Sequence, residues 1–368
     1  MKFSISREEL SSLIGKIQGV IPSKAIIPIL ANVLIEAKSH QIIVTASDLT
    51  VSLRASAAVT VLKEGSIALP ARRFFQLIRE LKSPEVTVET GENHIAIITS
   101  GSSHFRINGL EKGEFPPFPE IKDGKSFELP TSRLKEMFVN TSFAAAKDDT
   151  RQVLNGIYME LQDDKVIVVG TDGKKLAKIE QSVECTPGTK QSSIIPLKAV
   201  EEMIRLLDDD SENTTLTLMA DKIALETDNG SLVSKLLSGQ FPDYERVIPN
   251  RESMHKMFLH RDELMTLLKQ VSLFTVDTSH SVKLTFGEGE LRLQATNSEL
   301  GEGKVQMPVD YHNEKLDIAF NPHYFIDILR HCKDETVSFG ITDSFNPGSI
   351  TDTSEAHYVL MPMRLSSD

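Results

Sequence analysis

The same join between an apolar segment and a turn occurs three times along this chain of 368 residues. Asp48, Asp172 and Asn297 each follow a strand-like apolar run, and they are spaced 124 and 125 residues apart. Each step is about a third of the chain, and a fixed period of this kind indicates repetition of one structural unit. The sequence therefore predicts three copies of a single domain.

Two helical patterns repeat with the same period and in the same order. The first has apolar residues at offsets of three, four and seven, which is typical of an amphipathic helix. Its three copies begin at Leu10, Leu134 and Leu264. The second follows a proline, a signal of a helix start, and its copies begin at Phe74, Val200 and Phe325.

Short alternating runs separated by turn residues fill the rest of each third, and they predict roughly six to eight strands per unit. The fold class expected is α+β, with two helices and antiparallel-rich sheets in each unit. Pro-rich segments anchored by Phe115 and Phe241 indicate stiff crossings between units. We therefore expect domains at 1–124, 125–252 and 253–368.

The composition describes an ordinary globular protein, with 40% hydrophobic and 25% charged residues. The two cysteines, Cys185 and Cys332, belong to no motif. They argue against a disulfide framework or a zinc site and suit a reducing cytoplasm. The first twenty residues do not have the pattern of a signal peptide, and no apolar run is long enough to span a bilayer.

The net charge of −12 argues against nucleic-acid binding over the whole surface. The charge is uneven, since the predicted helices together carry +7 and the remainder −19. Those helices are expected at 7–24, 70–82, 133–147, 196–207, 261–270 and 321–333. A basic face that binds phosphates explains this split, but so does the use of Lys and Arg as good helix formers.

No catalytic or metal-binding motif is present. Walker, zinc-protease, paired-cysteine and Gly-x-Ser-x-Gly patterns do not occur in the sequence. Asp48 and Asp172 could be imagined as a catalytic pair, but their repetition at strand ends favours a turn or capping role. The sequence therefore predicts no catalytic residue, no metal site and no cofactor.

The chain resembles the bacterial sliding clamps, the beta subunits of DNA polymerase III, over essentially its full length. The resemblance is carried by eight motifs: 28–30, 70–75, 154–156, 171–177, 239–244, 320–322, 342–344 and 358–365. It implies the DNA clamp fold, with two chains joined head to tail in a ring around duplex DNA. It also implies a non-catalytic, cytoplasmic processivity factor. The partners implied are the replicative polymerase, the clamp loader, and other polymerases and repair proteins that carry a clamp-binding peptide.

The resemblance implies DNA contacts at Lys24 and Arg72, and repeat position adds Lys147 and Lys198. Gln152 and Val153 occupy family DNA-contact positions where some relatives have two tyrosines. That difference removes rings that could stack on exposed bases.

A peptide-binding groove is also implied, and its positions fall in two sets. One set is Leu154, Thr171, Gly173, Lys174, Lys175, Leu176, Pro242, Arg246 and Val247. The other is Asn321, Tyr324, Val359, Leu360, Met361, Pro362, Met363 and Arg364. The four cations among them could bind a partner's carboxylate or carbonyl groups, and methionines suit a groove with several partners. The segment Ser366–Asp368 extends the chain beyond the family's usual end.

The implied ring interface pairs an edge strand of the first domain with the third domain. We expect Phe105 and Ile107 to meet Leu273 and Phe274, with Arg73 near Glu299 or Glu302. A core position is the alternative for both Leu273 and Phe274, since Phe274 also fits the apolar face of its own helix, and Leu273 fits that face less well.

Two other classes of function stay open on the residues alone. A nuclease using Asp172 and its neighbours predicts acids gathered in one cleft, whereas the aspartates here repeat by symmetry. A repeat scaffold without nucleic acid predicts no enclosed basic surface.

Overall fold

The computed structural model describes residues 1–162, 164–183, 190–207, 211–250, 253–276 and 280–364. Cys185, the expected boundary at 252 and the C-terminal segment Ser366–Asp368 lie outside these ranges.

Within the described residues the chain forms six α-helices. They are α1 (Arg7–Ile17), α2 (Ala71–Glu80), α3 (Thr131–Ser142), α4 (Leu197–Leu206), α5 (Arg261–Ser272) and α6 (Pro322–His331). Ser6 is the N-cap of α1, since its Oγ accepts from Glu9 N at 3.1 Å and donates to Glu9 Oε2 at 2.8 Å. The apolar face predicted for α1 is buried from Leu10 to Ile17.

The largest differences from the predicted helices are at the C-terminal ends of α1 and α3. Instead of reaching residue 24, α1 ends at Ile17, where Val20 N bonds Ile17 O in a tighter turn. Instead of reaching 147, α3 ends at Ser142, and the buried Thr141 hydroxyl donates to Met137 O at 2.7 Å. The helices as formed carry +3 rather than +7, because Lys24, Lys82, Lys147 and Lys333 lie beyond their ends.

The strands of the first repeat are β1 (Lys2–Ser6), β2 (Asn32–Lys38), β3 (Gln41–Ser47), β4 (Val51–Ala58), β5 (Thr60–Lys63), β6 (Gly65–Pro70), β7 (Glu85–Thr90), β8 (Ile95–Ser100) and β9 (Ser103–Asn108). Those of the second are β10 (Lys125–Pro130), β11 (Gly156–Gln162), β12 (Lys165–Thr171), β13 (Lys175–Ser182), β14 (Lys190–Pro196), β15 (Asn213–Leu218), β16 (Lys222–Thr227) and β17 (Gly230–Lys235).

The third repeat contributes β18 (His255–His260), β19 (Val282–Gly287), β20 (Glu290–Asn297), β21 (Gly301–Pro308), β22 (Leu316–Phe320), β23 (Thr336–Ile341), β24 (Gly348–Thr351) and β25 (His357–Leu360). All pairings described between these strands are antiparallel, as the sequence predicts; examples lie in each sheet.

The strands form four sheets. Two have eight strands, in the orders β10-β15-β16-β17-β4-β3-β2-β6 and β14-β11-β12-β13-β25-β24-β23-β18. The other two are β5-β1-β7-β8-β9 and β21-β20-β19-β22. Each eight-stranded sheet joins half-sheets from two successive repeats, so the repeats are continuous through backbone hydrogen bonds.

The two internal joins have the same construction. In the first, β17 pairs with β4, with Leu232 opposite Leu53. In the second, β25 pairs with β13, with Val359 opposite Leu176. By repeat position, the strands left over from this scheme are β9 and β21, and each ends its own sheet.

The chain divides into two compact units, each of which contains part of the central repeat. The first consists mainly of Met1–Lys135 and Lys198–Leu237, and the second mainly of Glu136–Ser182 and Ser238–Asp368. Shared sheets explain why this division cuts through the central repeat. None of the helices in the described ranges has the length and hydropathy needed to cross a membrane.

Candidate functional site

The polar turn that recurs in the sequence is an aspartate- or asparagine-capped turn in all three repeats. Asp172 Oδ1 accepts from Lys174 N at 2.8 Å and from Lys175 N at 2.9 Å. Asp48 Oδ1 accepts from the amides two and three residues on, and so does Asn297 Oδ1. The capping role predicted for Asp48 and Asp172 is confirmed, and it accounts for their spacing without catalysis.

In the second repeat this turn is fixed further by its neighbours. Thr171 Oγ1 donates to Lys175 O at 2.7 Å and accepts from Gly173 N at 3.0 Å. Gly173 has φ +82°, a left-handed conformation that glycine adopts without steric cost. The turn is therefore a rigid element.

The C-terminal strand extends this element. Lys175 lies opposite Leu360 in the β13–β25 pairing, and Met361 N donates to Lys174 O at 2.9 Å. Two residues on, Met363 N donates to Ala319 O at 2.7 Å. The apolar C-terminal segment is therefore held in place by backbone hydrogen bonds as far as Met363.

An apolar cavity of about 140 Å³ opens beside the turn, and we call it the apolar groove. Leu154, Leu176 and Val359 are buried in its wall. The complete lining is Arg151, Leu154, Thr171, Gly173, Lys175, Leu176, Pro242, Asp243, Tyr244, Val247, Val359 and Met361.

A cluster of aromatic rings positions one rim of the groove. Tyr158 stacks on Phe241 with ring centroids 5.0 Å apart and lies 5.8 Å from the ring of Tyr244. Burial raises the pKa of the Tyr244 phenol, so it stays protonated at neutral pH. The cluster anchors the connector that carries Pro242 and Val247.

Nine of the seventeen predicted groove residues line this cavity. Among the others, Leu360 is fully buried, Asn321 caps α6 through His323 N, and Lys174 lines the neighbouring cavity. Arg246, Tyr324, Pro362, Met363 and Arg364 do not line the cavity either. The prediction missed Arg151, Asp243 and Tyr244. The repeat signal could have identified Tyr244, because it stands 126 residues after Phe118 in the other connector.

A second, larger cavity of about 530 Å³ is mostly polar, and we call it the polar chamber. It shares Arg151 and Lys175 with the apolar groove. Its lining is Phe143, Ala145, Ala146, Lys147, Asp148, Asp149, Arg151, Asp172, Lys174, Lys175, Asp327, Arg330 and His331.

Ion pairs determine which charges around these cavities are available. Arg151 donates to both carboxylate oxygens of Asp149 and lowers the pKa of that group to about 2. Lys175 is buried against Asp172, whereas Arg246 is exposed and paired with Asp243 at 2.6 Å. The ammonium of Lys175 therefore already has a carboxylate partner within the chain, and its predicted contact with a partner's carboxylate or carbonyl group stays a prediction.

The predicted DNA contacts fall into two groups. Lys24 and Lys147 are exposed in the loops after α1 and α3. Arg72 Nη2 instead donates to Ser23 O at 2.8 Å, and Lys198 Nζ pairs with Asp48 at 2.5 Å. Arg72 and Lys198 therefore each have a bonding partner within the chain.

Gln152 is exposed, and Val153 is half-buried on the short helical turn 152–154. A Cβ on Gly239 would lie 2.7 Å from Val153 Cγ1, so Val153 packs against the connector. Part of the Val153 side chain is therefore covered by the connector, and part remains accessible.

The predicted interface residues lie at the two sheet edges. Phe105 is 38% exposed on β9 opposite Ile98, and Ile107 lies opposite Ala96. Because Ile98 and Ala96 are buried, β9 carries the apolar face of its sheet to an open edge. At the other edge, Leu273 is 72% exposed, and Phe274 packs over Gly303 of β21.

Charged residues accompany both edges. Arg73 is exposed on α2, as are Glu299 and Glu302 near β21. Glu302 is shared by Lys304 at 2.9 Å and Gln294 at 2.5 Å.

Three successive family models match the chain. They describe the N-terminal domain of the DNA polymerase III beta subunit at residues 1–119, its central domain at 128–243 and its C-terminal domain at 245–364.

Known proteins agree over the whole length. A beta sliding clamp of Chlamydia pneumoniae is 49% identical over 100% of both chains, and that of Haemophilus influenzae is 32% identical over 99% of this chain and 100% of its own. A solved sliding clamp from Pseudomonas aeruginosa bound to griselimycin has a TM-score of 0.94 at 29% identity, covering 99% of this chain and 100% of its own. The beta subunit of Thermotoga maritima has a TM-score of 0.92 at 30% identity, with the same coverage.

Proposed function

The chain belongs to the family of DNA polymerase III beta subunits, the beta sliding clamps, and we propose that its sheet edges close the ring, its cations contact DNA and its apolar groove binds partner proteins. It is a DNA sliding clamp, a processivity factor and not an enzyme. The observation that carries this conclusion is the match of three consecutive clamp domains over nearly the whole chain.

We propose domains at 1–124, 125–252 and 253–368. The location proposed is the cytoplasm, in keeping with a family that acts on DNA.

Ring closure in this proposal uses β9 of one chain and β21 of a second. Their repeat equivalents, β17 with β4 and β25 with β13, form the two joins within the chain. A heterologous contact that repeats an internal join closes into a ring when the rotation allows. Unpaired strand edges with apolar residues are otherwise a liability for aggregation, which supports their use in a head-to-tail homodimer.

Helix contacts support the same closure. The residue nine positions after the first apolar position of each first helix is Gly19, Phe143 or Leu273. A Cβ on Gly19 would collide with Glu202 and Arg205 of α4, and Phe143 stacks on His331 of α6 at 3.8 Å. By equivalence, the exposed Leu273 would meet α2 of the second chain.

The same argument supports the charged contact. Lys174 Nζ lies 5.8 Å from the ring of Tyr324. The repeat equivalents of these residues are Glu299 and Arg73. An Arg73–Glu299 ion pair between two chains would therefore take the place that the contact between Lys174 and the Tyr324 ring has in the second join.

DNA is held, in this proposal, by a few cations rather than by a broad basic surface. Lys24, Arg72, Lys147 and Lys198 would face the duplex together with Gln152 and Val153. Phosphate contacts of this kind are independent of sequence and weaken with salt. Because a closed ring retains DNA topologically, weak contacts suffice and permit sliding.

The apolar groove is the proposed docking site for the polymerase, the clamp loader and other proteins with a clamp-binding peptide. A solved relative was bound to griselimycin, which offers a probe for the groove. Buried Leu and Val walls with a Met at the edge suit apolar anchors of a peptide.

Retention on circular DNA tests the proposal. Purified chain is loaded onto a nicked circle by a clamp loader, and bound protein is separated from free protein by gel filtration. We expect the mass of two chains per ring and release when the circle is linearised. Retention that persists after linearisation would show binding without encirclement and would contradict the proposal.

A further inference from the structure

Lys175 is a buried cation that contacts one acidic and one aromatic side chain. Its side chain is only 8% exposed, and its Nζ lies 2.9 Å from Asp172 Oδ2. The ring of Tyr324 lies 4.5 Å from the same nitrogen. A cation over an aromatic face and beside a carboxylate is stabilised by both.

Lys175 also lies between two cavities. It lines the apolar groove on one side and the polar chamber on the other. Asp172, its partner, lines the chamber only. The Lys175–Asp172 pair therefore forms part of the wall between an apolar cavity and a polar one.

The pair is also connected, through backbone hydrogen bonds, to a residue that lines the groove. Asp172 Oδ1 holds the turn through the amides of Lys174 and Lys175, and Lys174 O accepts from Met361 N. Met361 lines the groove. A shift of the turn would consequently move a lining residue.

We propose that Lys175 is a positioning residue for partner binding: paired with Asp172 and covered by Tyr324, it keeps the groove apolar and shaped, and it does not bind the partner's charge. The inference rests on the proposed function of the groove. It assigns to Lys175 a role different from that of an exposed cation at the rim.

A double-mutant cycle separates the two roles. Removing one member of a buried ion pair leaves an uncompensated charge, whereas removing both costs far less. Lys175→Met keeps the length of the stem and removes the charge. Asp172→Asn keeps an oxygen for the turn, as Asn297 does in the third repeat, where its Oδ1 accepts from Glu299 N at 2.9 Å.

The measurement is the affinity of the full-length protein for griselimycin, by calorimetry, with melting temperature recorded for each variant. We expect K175M to bind about tenfold more weakly, and the K175M/D172N double variant to recover to within about threefold of wild type. Lys178→Met is the matched control, because Lys178 lies on the same strand and pairs with Glu180 outside both cavities. It should bind as wild type does.

Each outcome decides the inference. A double variant as weak as K175M, or weaker, would mean that the ammonium itself binds the ligand, and would overturn the positioning role. Wild-type affinity in K175M would overturn it too. If K175M is too unstable to assay, the double variant decides alone by the same threefold limit. Failure of the wild-type protein to bind griselimycin would instead overturn the groove assignment on which the inference rests.

Discussion

The two joins inside the chain share one construction but differ in what covers them. At the first, Phe118 and Ile121 of the connector pack against buried Met219, Ala224 and Val233. At the second, their repeat equivalents are Tyr244 and Val247, and Val247 is 38% exposed at the groove. A connector that fills the first join therefore leaves a cavity at the second.

The capped turns differ in the same sense. Leu49 occupies the left-handed position of the first turn at φ +71°, and Gly173 occupies it in the second. Asp48 takes its cation from Lys198 of α4, whereas Asp172 takes it from Lys175 three residues on. The second repeat therefore differs from the first by a smaller residue at the turn and by an ion pair within the turn, while the strands on either side are the same.

The largest effect is expected at the proposed ring closure, where β9 of one chain would meet β21 of a second. Truncating Leu273 and Phe274 to Ala removes apolar contacts at the proposed ring closure, which we expect to weaken the dimer by roughly 4 kcal/mol. Sedimentation velocity should then show monomer at micromolar concentration. A folded dimer of unchanged affinity would remove these residues from the interface, and a protein that melts early would favour a core position for Phe274.

The next largest effect is expected at Gly170, because the second repeat leaves no room there for a side chain. A Cβ on Gly170 would lie 2.0 Å from Thr141 O, whereas the first repeat has a buried alanine, Ala46, at the equivalent position. Gly170→Ala should cost on the order of 3 kcal/mol through overpacking. Urea denaturation measures this loss, and Ala46→Gly serves as the reciprocal variant with a cost of about 1 kcal/mol. Equal effects would contradict the packing difference.

Substitutions at the left-handed positions of the first two turns have a smaller expected effect, and they test what keeps the groove open. Gly173→Leu should cost roughly 1 kcal/mol of left-handed strain and lower griselimycin affinity about tenfold by occupying the groove wall. Leu49→Gly should leave that affinity unchanged and raise the melting temperature slightly, since it relieves the same strain. Normal griselimycin binding by G173L would show that the glycine does not keep the groove open.

The four cations proposed to contact DNA form two pairs: one is exposed in loops, and the other also makes bonds within the chain. Charge reversal of Lys24 and Lys147 should reduce loading on DNA several-fold at moderate salt without changing stability. Reversal of Arg72 and Lys198 should also lower the melting temperature, because these residues bond Ser23 O and Asp48. Unchanged loading in both pairs would argue that DNA is held elsewhere.

The smallest effect concerns pH. Burial lowers the pKa of His331, which stacks on Phe143 at the second join, while the equivalent contact at Gly19 has no imidazole. A depressed histidine pKa gives stability that is complete above the ordinary value of about 6.5 and is lost as pH falls. Thermal melts at pH 7.5 and 5.5 should show a smaller decline in His331→Gln than in wild type. An identical decline would exclude His331 as its source.

Repetition made much of this protein predictable. Offsets of three, four and seven residues located the six helices of the described residues, and the capping residue Ser6 located the start of α1. Helix ends were less predictable, since Val20 and Ala144 continue the apolar pattern after the hydrogen bonding has changed. Apolar periodicity records burial, and a residue just beyond a helix can be buried too.

The threefold plan, the α+β class and the turns at Asp48, Asp172 and Asn297 could be predicted from the residues, because these features depend on local spacing and local hydrogen bonds. The burial of Lys175, the bonds that Arg72 and Lys198 make within the chain, and the exposure of Val247 where Ile121 is packed could be seen only in the folded chain. Lysines in neighbouring positions look alike in a sequence. Whether an ammonium faces solvent, a carboxylate or a carbonyl depends on chain segments brought together from far apart, and that proximity is set by the sheets that join one repeat to the next.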